Sequence, residues 1–337
     1  MRIFSLFVAF ILAAAAQEPE PIRVNVRLIN VSFSVRDAKG NLVRDLSKDD
    51  FEVLDDGVPQ TVAFFAKSAD VPLSLSVIAD FSGSQSHFVK QHEKDINTFL
   101  KETLTARDRA SAVGFTGRVR VISDFSSSSK ELMERIHDGS PKHKEWQDLP
   151  ELGPREIRSG GTSFYDALFY TASRMLAKTD SGRRALLIFS DGEDTSSAHH
   201  LLDVIEAAQK ENVTIFGIRY TEMNHEGLLT ARNKYGTSVM ARISLETGGV
   251  DYDSEKVDLR ESFREIGEQL RSSYELAYHA SQPLKDGTFH KVVIRAKRPG
   301  LTVRAKSGYY ARETEIADPE AAASEAAPVI RSKKRKK

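Results

Sequence analysis

The middle of the chain alternates between apolar runs and amphipathic stretches. Residues 73–78 alternate and then become continuously apolar, and residues 186–189 form a second apolar run, as expected of strands buried on both faces of a parallel sheet. Stripes spaced three or four residues apart predict helices on Phe88, Ile96, Phe99, Leu100 and Leu104, on Phe164, Leu168, Ala172, Met175 and Leu176, on Leu201, Leu202, Ile205 and Ala208, and on Phe263, Ile266 and Leu270. This alternation predicts an α/β domain with a doubly wound, mostly parallel sheet over residues 71–271.

The flanking segments, 22–70 and 272–312, show a period of two instead, which predicts β-strands. Val31, Phe33 and Val35 alternate before the domain, and residues 274–279, 292–294 and 301–303 form short apolar strands after it. Neither segment has enough strands to bury a sheet face alone. We expect them to pair into one accessory module resembling a β-sandwich, although two separate small sheets would show the same pattern.

Both ends of the chain differ from the rest. Residues 1–16 contain Arg2, an apolar run and the small residues Ala14–Ala16, a pattern typical of a secretory signal peptide cleaved after Ala16; an uncleaved anchor is the alternative. Residues 313–337 lose hydrophobic periodicity and end in a basic cluster, which predicts a disordered tail. The expected location is therefore secreted or periplasmic, without stable membrane insertion once the signal is removed.

Composition narrows the chemistry. The chain of 337 residues has 48 basic and 48 acidic side chains, so no overall field favours nucleic acid as a partner. It contains no cysteine, which excludes disulfides, thiolate metal sites and a cysteine nucleophile. The Gly-x-Ser-x-Gly, P-loop and His-Glu-x-x-His motifs are absent as well. We therefore expect a protein that is not an enzyme.

Three polar stretches follow or precede the predicted buried elements. Asp80, Ser82 and Ser84 come after the first buried strand, Thr162 precedes a helix, and Asp191 ends the second buried strand. Ligands of open α/β sheets bind at the carboxyl ends of strands, so these side chains are expected to converge. Hydroxyl and carboxylate oxygens favour a hard divalent cation rather than zinc or copper.

In this order and spacing, the three stretches resemble the metal-ion-dependent adhesion site (MIDAS) of von Willebrand factor type A domains. The flanking phrases NVSFSVRDAKGNLVRDLSKDDFEVLDDG and RPGLTVRAKSGYY resemble those of bacterial secreted proteins with such domains. The resemblance implies that Ser82 and Ser84 coordinate the metal directly, Thr162 directly or through water, and Asp80 and Asp191 mostly through water. It implies magnesium first, with manganese or calcium as alternatives, and a partner protein whose Glu or Asp carboxylate completes the shell.

Each site residue also has a structural interpretation. Asp80 and Thr162 could cap helices, and Asp191 with Gly192 could form an ordinary turn. A scaffold protein with a non-functional metal site is therefore an alternative, and a metal-dependent hydrolase is a more remote one. Outside the site, Trp146 either contributes to partner selectivity from an exposed loop or packs that loop onto the domain. His199 and His200 are expected to be solvated.

Overall fold

A computed structural model describes residues 28–68, 71–153, 161–179, 182–221, 230–281 and 287–311. The predicted signal peptide and the predicted tail lie outside these ranges. The strands, in chain order, are β1 Leu28–Arg36, β2 Phe51–Asp55, β3 Val58–Gln60, β4 Val62–Ser68, β5 Leu73–Asp80, β6 Arg109–Phe115, β7 Val119–Ser126, β8 Arg183–Ser190, β9 Val213–Arg219, β10 Asp251–Asp253, β11 Ser273–His279, β12 Phe289–Ala296, β13 Thr302–Ala305 and β14 Gly308–Tyr310. The α-helices are α1 Val89–Thr103, α2 Ser129–Asp138, α3 Phe164–Tyr170, α4 Leu201–Lys210, α5 Ala231–Thr247 and α6 Leu259–Arg271.

A six-stranded sheet in the order β10-β9-β8-β5-β6-β7 occupies the centre of the α/β region. Every pair is parallel except β6 with β7, which form an antiparallel hairpin at one edge. All eight residues of β5 are buried, which explains why its sequence is so apolar. The predicted mostly parallel sheet is confirmed.

Helices cover both faces of this sheet. On one face α1, α2 and α6 place Ile96, Leu132 and Phe263 in the core that contains Leu75 and Val77. On the other face α3, α4 and α5 pack in the core that contains Ile78 and Ile188. Beyond Tyr170, α3 continues as a π turn over Thr171–Met175 and a 3₁₀ turn over Leu176–Lys178. The doubly wound arrangement that the helical stripes predicted is therefore confirmed.

The terminal strands form two antiparallel sheets, in the orders β13-β1-β11-β4 and β14-β12-β2-β3. Each sheet contains strands from both ends of the chain. Their facing sides share one core, in which Phe33 lies 4.9 Å from Phe51 and 5.4 Å from Tyr274 between ring centroids. A single sandwich-like module is confirmed, and the alternative of two separate small sheets is wrong.

The α/β region continues directly into this module, because α6 ends at Arg271 and β11 begins at Ser273. Arg271 donates to both carboxylate oxygens of the buried Asp108, which lies just before β6. Asp108 also accepts from the backbone N–H of Leu73 at 2.9 Å. The starts of β5 and β6 are thus held to the end of α6. None of the described helices is long and apolar enough to span a bilayer.

Candidate metal centre

The carboxyl ends of β5 and β8 lie side by side. The two strands pair in parallel with Ala79 opposite Phe189. Asp80, which ends β5, therefore lies at the same edge of the sheet as Ser190 and Asp191 at the end of β8. Both carboxylates are almost inaccessible, with Asp80 at 0% and Asp191 at 1% exposure. Burial, followed by the negative charge of Asp191, raises the pKa of Asp80 to about 7.

Asp80 is fixed by hydrogen bonds at both oxygens. Ser82 N donates to Oδ1 at 2.8 Å, and Ser190 Oγ donates to Oδ2 at 2.6 Å. Ser190 Oγ in turn accepts from Gly192 N at 3.0 Å. Asp80 does not cap α1, whose N-cap residue, Phe88, lies farther along the chain. The helix-capping interpretation of Asp80 is therefore wrong.

Ser82 and Ser84 lie in the tight turn that follows Asp80. Ser82 is the N-cap of a 3₁₀ turn over Gly83–Gln85, and its hydroxyl lies 3.3 Å from that of Ser84. Ser82 is buried, whereas Ser84 is partly exposed. The turn therefore places two neutral hydroxyl oxygens next to each other, beside a buried carboxylate.

Asp191 begins the loop after β8. Its Oδ1 accepts from Glu193 N at 3.0 Å and its Oδ2 accepts from Gln85 Nε2 at 3.0 Å. Gly192 has φ +78° and lies so close to α5 that a Cβ there would stand 2.6 Å from Gly236 O. Only glycine tolerates both this conformation and this approach. The helix thus holds Asp191 from behind.

Thr162 lies on a third loop, which is bonded to the loop of Asp191. Thr162 N donates to Thr195 Oγ1 at 2.8 Å, and Thr162 O accepts from Thr195 N and Ser196 N. The N-cap of α3 is Ser163, and the first helical N–H groups bond to the side chains of Asp194 and Ser197. The alternative interpretation, in which Thr162 caps this helix, is wrong, so its hydroxyl is not used for that purpose.

The five sequence-predicted residues thus lie on three loops that contact one another. Ser82 bonds to Asp80, and its hydroxyl lies next to that of Ser84. Asp191 is close enough to Asp80 for its charge to raise the pKa of Asp80. Hydrogen bonds of the Thr162 backbone connect Thr162 to the Asp191 loop. Donors to the two aspartates are hydroxyl, amide or backbone groups, and among the described residues neither aspartate pairs with a basic side chain. Two buried carboxylates without a compensating positive charge are costly. The donor set and this unbalanced charge both fit a divalent cation.

Two residues that support the site were given no role by sequence reasoning. Gln85, 1% exposed, bonds to Asp191 and to Tyr220 O at 3.1 Å, and Ser190 orients Asp80 as described above. A polar residue at the very end of a buried strand was the available signal for Ser190. The contact of Gln85 depends on how two loops fold and has no local sequence signature.

The structure decides between the two interpretations of Trp146 and corrects the expectation for His199. Trp146 is 5% exposed and packs edge-on against Phe81, with ring centroids 5.6 Å apart, so it holds its loop onto the domain. His199 is not simply solvated, since Nδ1 lies 2.8 Å from Asp166 Oδ1 and the ring stacks on Phe169. His200 is exposed, as expected.

The accessory module contains a second polar cluster, formed by Asp55, Asp56 and His290. One ligand atom from each residue lies within 4.8 Å of those from the other two. None of these three residues was given a role by sequence reasoning. Within the described ranges, this is the one group of three acidic or histidine side chains close enough together to hold a metal.

No family model and no curated protein matches the chain. Among solved structures, an aerotolerance-related membrane protein from Bacteroides fragilis aligns with 59% of this chain and 98% of its own, at 14% identity and a TM-score of 0.44. BatB from Bacteroides thetaiotaomicron covers 59% and 100%, at 16% identity and a TM-score of 0.42.

Proximal thread matrix protein 1 from the mussel byssus, in a form with a zinc-occupied MIDAS motif, covers 64% of this chain and 49% of its own, at 14% identity and a TM-score of 0.44. Because these TM-scores lie below 0.5, the fold assignment rests on the strand order of this chain itself. That order and the loop cluster define a doubly wound α/β domain with polar loops at the carboxyl ends of β5 and β8.

Proposed function

We propose that this chain is a divalent-cation-dependent protein-binding module that works outside the cytoplasm. The cation is held by Asp80, Ser82, Ser84, Thr162 and Asp191, and it captures an acidic side chain of a partner protein. One observation carries the proposal: the buried carboxylates Asp80 and Asp191 lie next to the paired hydroxyls of Ser82 and Ser84, and no basic side chain in the described part of the chain pairs with either carboxylate.

The donor set determines how such a cation would behave. Serine and threonine hydroxyls are neutral, so a metal that they coordinate keeps most of its charge. Oxygen donors favour magnesium, with manganese and calcium as the next choices. A carboxylate from a partner is the natural ligand for an open position on a metal of this kind, which explains why we propose a protein partner with an exposed Glu or Asp.

We propose binding rather than catalysis for this site. Each carboxylate oxygen of Asp80 and Asp191 already accepts a hydrogen bond, and both side chains are buried, so neither resembles an exposed general base. The location outside the cytoplasm is proposed from the predicted signal peptide. Turnover of generic ester or phosphate substrates would contradict the assignment as a non-enzyme.

Calorimetric titration of Mg²⁺, Mn²⁺ and Ca²⁺ into the protein tests the metal site. We expect one bound cation in the wild type, loss of binding in Ser82→Ala, and wild-type binding in the matched control Ser86→Ala. Ser86 is exposed and lies only four residues from Ser82 in the same turn region. Equal binding by Ser82→Ala and the wild type would place the cation elsewhere.

The partner is tested with an immobilised peptide that contains glutamate and with a matched peptide that contains glutamine. We expect retention of the wild-type protein on the glutamate peptide in Mg²⁺ and its release by EDTA. Ser82→Ala should not be retained. Equal retention on both peptides, or retention that survives EDTA, would contradict capture of a carboxylate by the metal.

A further inference from the structure

The turn between β2 and β3 brings two adjacent carboxylates next to a histidine of β12. Asp55 ends β2 and lies opposite Val292 of β12, so His290 is close to the turn at Asp56. His290 Nδ1 lies 2.9 Å from Asp56 Oδ2 and 3.9 Å from Asp55 Oδ1. Residues that are 234 positions apart in sequence therefore point one atom each toward a common centre.

In each aspartate, the carboxylate oxygen that does not face His290 already accepts hydrogen bonds. Asp55 Oδ2 accepts from two tyrosine hydroxyls, Tyr278 at 2.9 Å and Tyr309 at 2.8 Å. Asp56 Oδ1 accepts from Lys291 N at 2.8 Å. These bonds fix both carboxylates in the way that hydrogen bonds behind a metal ligand fix its orientation.

The histidine ring is held in the same way. His290 Nε2 lies 3.0 Å from Thr288 Oγ1, and the ring stacks on Tyr309 with an interplanar angle of 15°. Only Nδ1 is then directed at the two aspartates. These contacts fix the ring at Nε2 and at one face, which leaves Nδ1 to bind a ligand.

Asp55 gives an independent indication that a ligand belongs here. The residue is only 6% exposed, and among the described residues its Oδ1 is a buried oxygen without a hydrogen-bond donor. A buried carboxylate oxygen of this kind normally has a donor or a cation beside it. His290 Nδ1 lies 3.9 Å from this oxygen, so the unpaired oxygen faces the cluster.

We propose that Asp55, Asp56 and His290 form a second divalent-cation site, distinct from the MIDAS-like site and suited to a transition metal such as Zn²⁺. Two carboxylate oxygens with one imidazole nitrogen form a mixed donor set that transition metals prefer over magnesium. Zinc binds such atoms at about 2.0–2.2 Å, and three protein ligands commonly leave a position open. The side chain of Asp56 is 42% exposed, so that position faces solvent.

The site would act as a connection within the accessory module. It would join the β2–β3 turn to β12 through side chains, in addition to the contact between His290 Nδ1 and Asp56 Oδ2. Metal bound to the folded state alone stabilises that state by an amount that grows with the logarithm of the metal concentration divided by its Kd. We therefore expect Zn²⁺ to raise the melting temperature of the wild-type protein.

Cobalt absorption of the full chain tests the site, because Co²⁺ replaces Zn²⁺ and its visible bands report nitrogen and oxygen coordination. The titration is carried out in excess Mg²⁺, which occupies the oxygen-only site. We expect one equivalent of Co²⁺ in the wild type and a loss of affinity of more than about tenfold in His290→Gln. The control His279→Gln changes an exposed histidine at the end of β11 and should bind as the wild type does.

Further variants separate this site from the other one and from misfolding. Ser82→Ala should keep the cobalt bands, whereas Asp55→Asn, which preserves the shape and the tyrosine contacts, should lose them. Circular dichroism without metal shows whether each variant is folded. If folded His290→Gln and Asp56→Asn bind Co²⁺ as tightly as the wild type, His290 and Asp56 only hydrogen-bond to each other and the proposal fails.

Discussion

Gln85 Nε2 donates to Asp191 Oδ2 at 3.0 Å and thereby joins two loops that are 106 residues apart. Its other contact is Tyr220 O at 3.1 Å, at the end of the next strand. One amide group thus connects the turn that contains Ser82 and Ser84 to the carboxylate after β8. Gln85 is buried, so water does not replace these bonds when they are removed.

Gln85→Leu should weaken cation binding without removing a ligand. The substitution leaves Asp191 Oδ2 and a backbone carbonyl without their donor, so Asp191 loses its fixed orientation. Groups that orient metal ligands typically contribute about tenfold or more to affinity. Calorimetry with Mg²⁺ measures the change, and the exposed Gln147→Leu is the control. Unchanged affinity in Gln85→Leu would show that Gln85 supports only the fold.

Asp80→Asn should have opposite effects on stability and on binding. In the absence of a cation, the wild type holds two buried negative charges close together, and the substitution removes one of them while keeping the size of the side chain. We expect a higher melting temperature than wild type at pH 8 in EDTA, and a smaller increase on addition of Mg²⁺.

Thermal unfolding with and without Mg²⁺ measures both effects of this substitution. Asp138→Asn, at the exposed end of α2, is the control for removal of a negative charge. A lower melting temperature for Asp80→Asn in EDTA would mean that the hydrogen bonds of the carboxylate outweigh its burial. The unbalanced charge would then be no argument for a cation.

The fold was predictable because its strands are encoded locally. All eight residues of β5 are buried, and β8 contains the apolar run 185–189, so neither strand resembles an amphipathic element. The pairing of the N-terminal with the C-terminal strands was inferred only because neither segment has enough strands to bury a sheet face alone. The register, such as Leu54 opposite Val293, depends on contacts between distant residues and was beyond the sequence.

The site was predictable only in part. Asp80 and Asp191 follow buried strands, and parallel strands bring such residues to one edge by geometry alone. The roles of Gln85 and Ser190 depend on side-chain directions in folded loops. The same holds for His290, whose neighbours in sequence give no sign that it lies beside Asp56. Local periodicity does not encode contacts of this kind.

Gly236→Ala should disturb the metal site from behind. A Cβ at Gly236 would overlap the carbonyl oxygen of Asp191, so the helix or the loop must move. Alanine is normally the better helix former by about 1 kcal/mol, yet here we expect lower stability and weaker Mg²⁺ binding.

The matched control for this substitution is Gly267→Ala in α6. Its added Cβ meets Thr103 Oγ1 at 3.4 Å, an ordinary contact, so stability should stay the same or rise. Thermal unfolding and calorimetry compare the two variants. Equal behaviour of Gly236→Ala and Gly267→Ala would contradict the idea that close packing of α5 positions Asp191.

Asp108 should make stability depend on acid pH. Burial raises the pKa of this carboxyl, but bonds from Arg271, Thr105 and Leu73 N outweigh burial and lower the pKa to about 2, compared with its ordinary value of 3.8. A lowered pKa in the folded state means that the stabilisation is fully present above about pH 4 and is lost as the pH falls toward 2.

Asp108→Asn should therefore lower the free energy of unfolding by about 2–3 kcal/mol at pH 6, because Arg271 loses its charged partner. The difference from wild type should shrink steadily between pH 4 and pH 2, where the wild-type carboxyl also becomes neutral. Urea unfolding at a series of pH values measures this, with Asp138→Asn as the exposed control. If the difference at pH 2.5 equals that at pH 6, then shape and not charge makes Asp108 stabilising, and the ion pair between β6 and α6 contributes little.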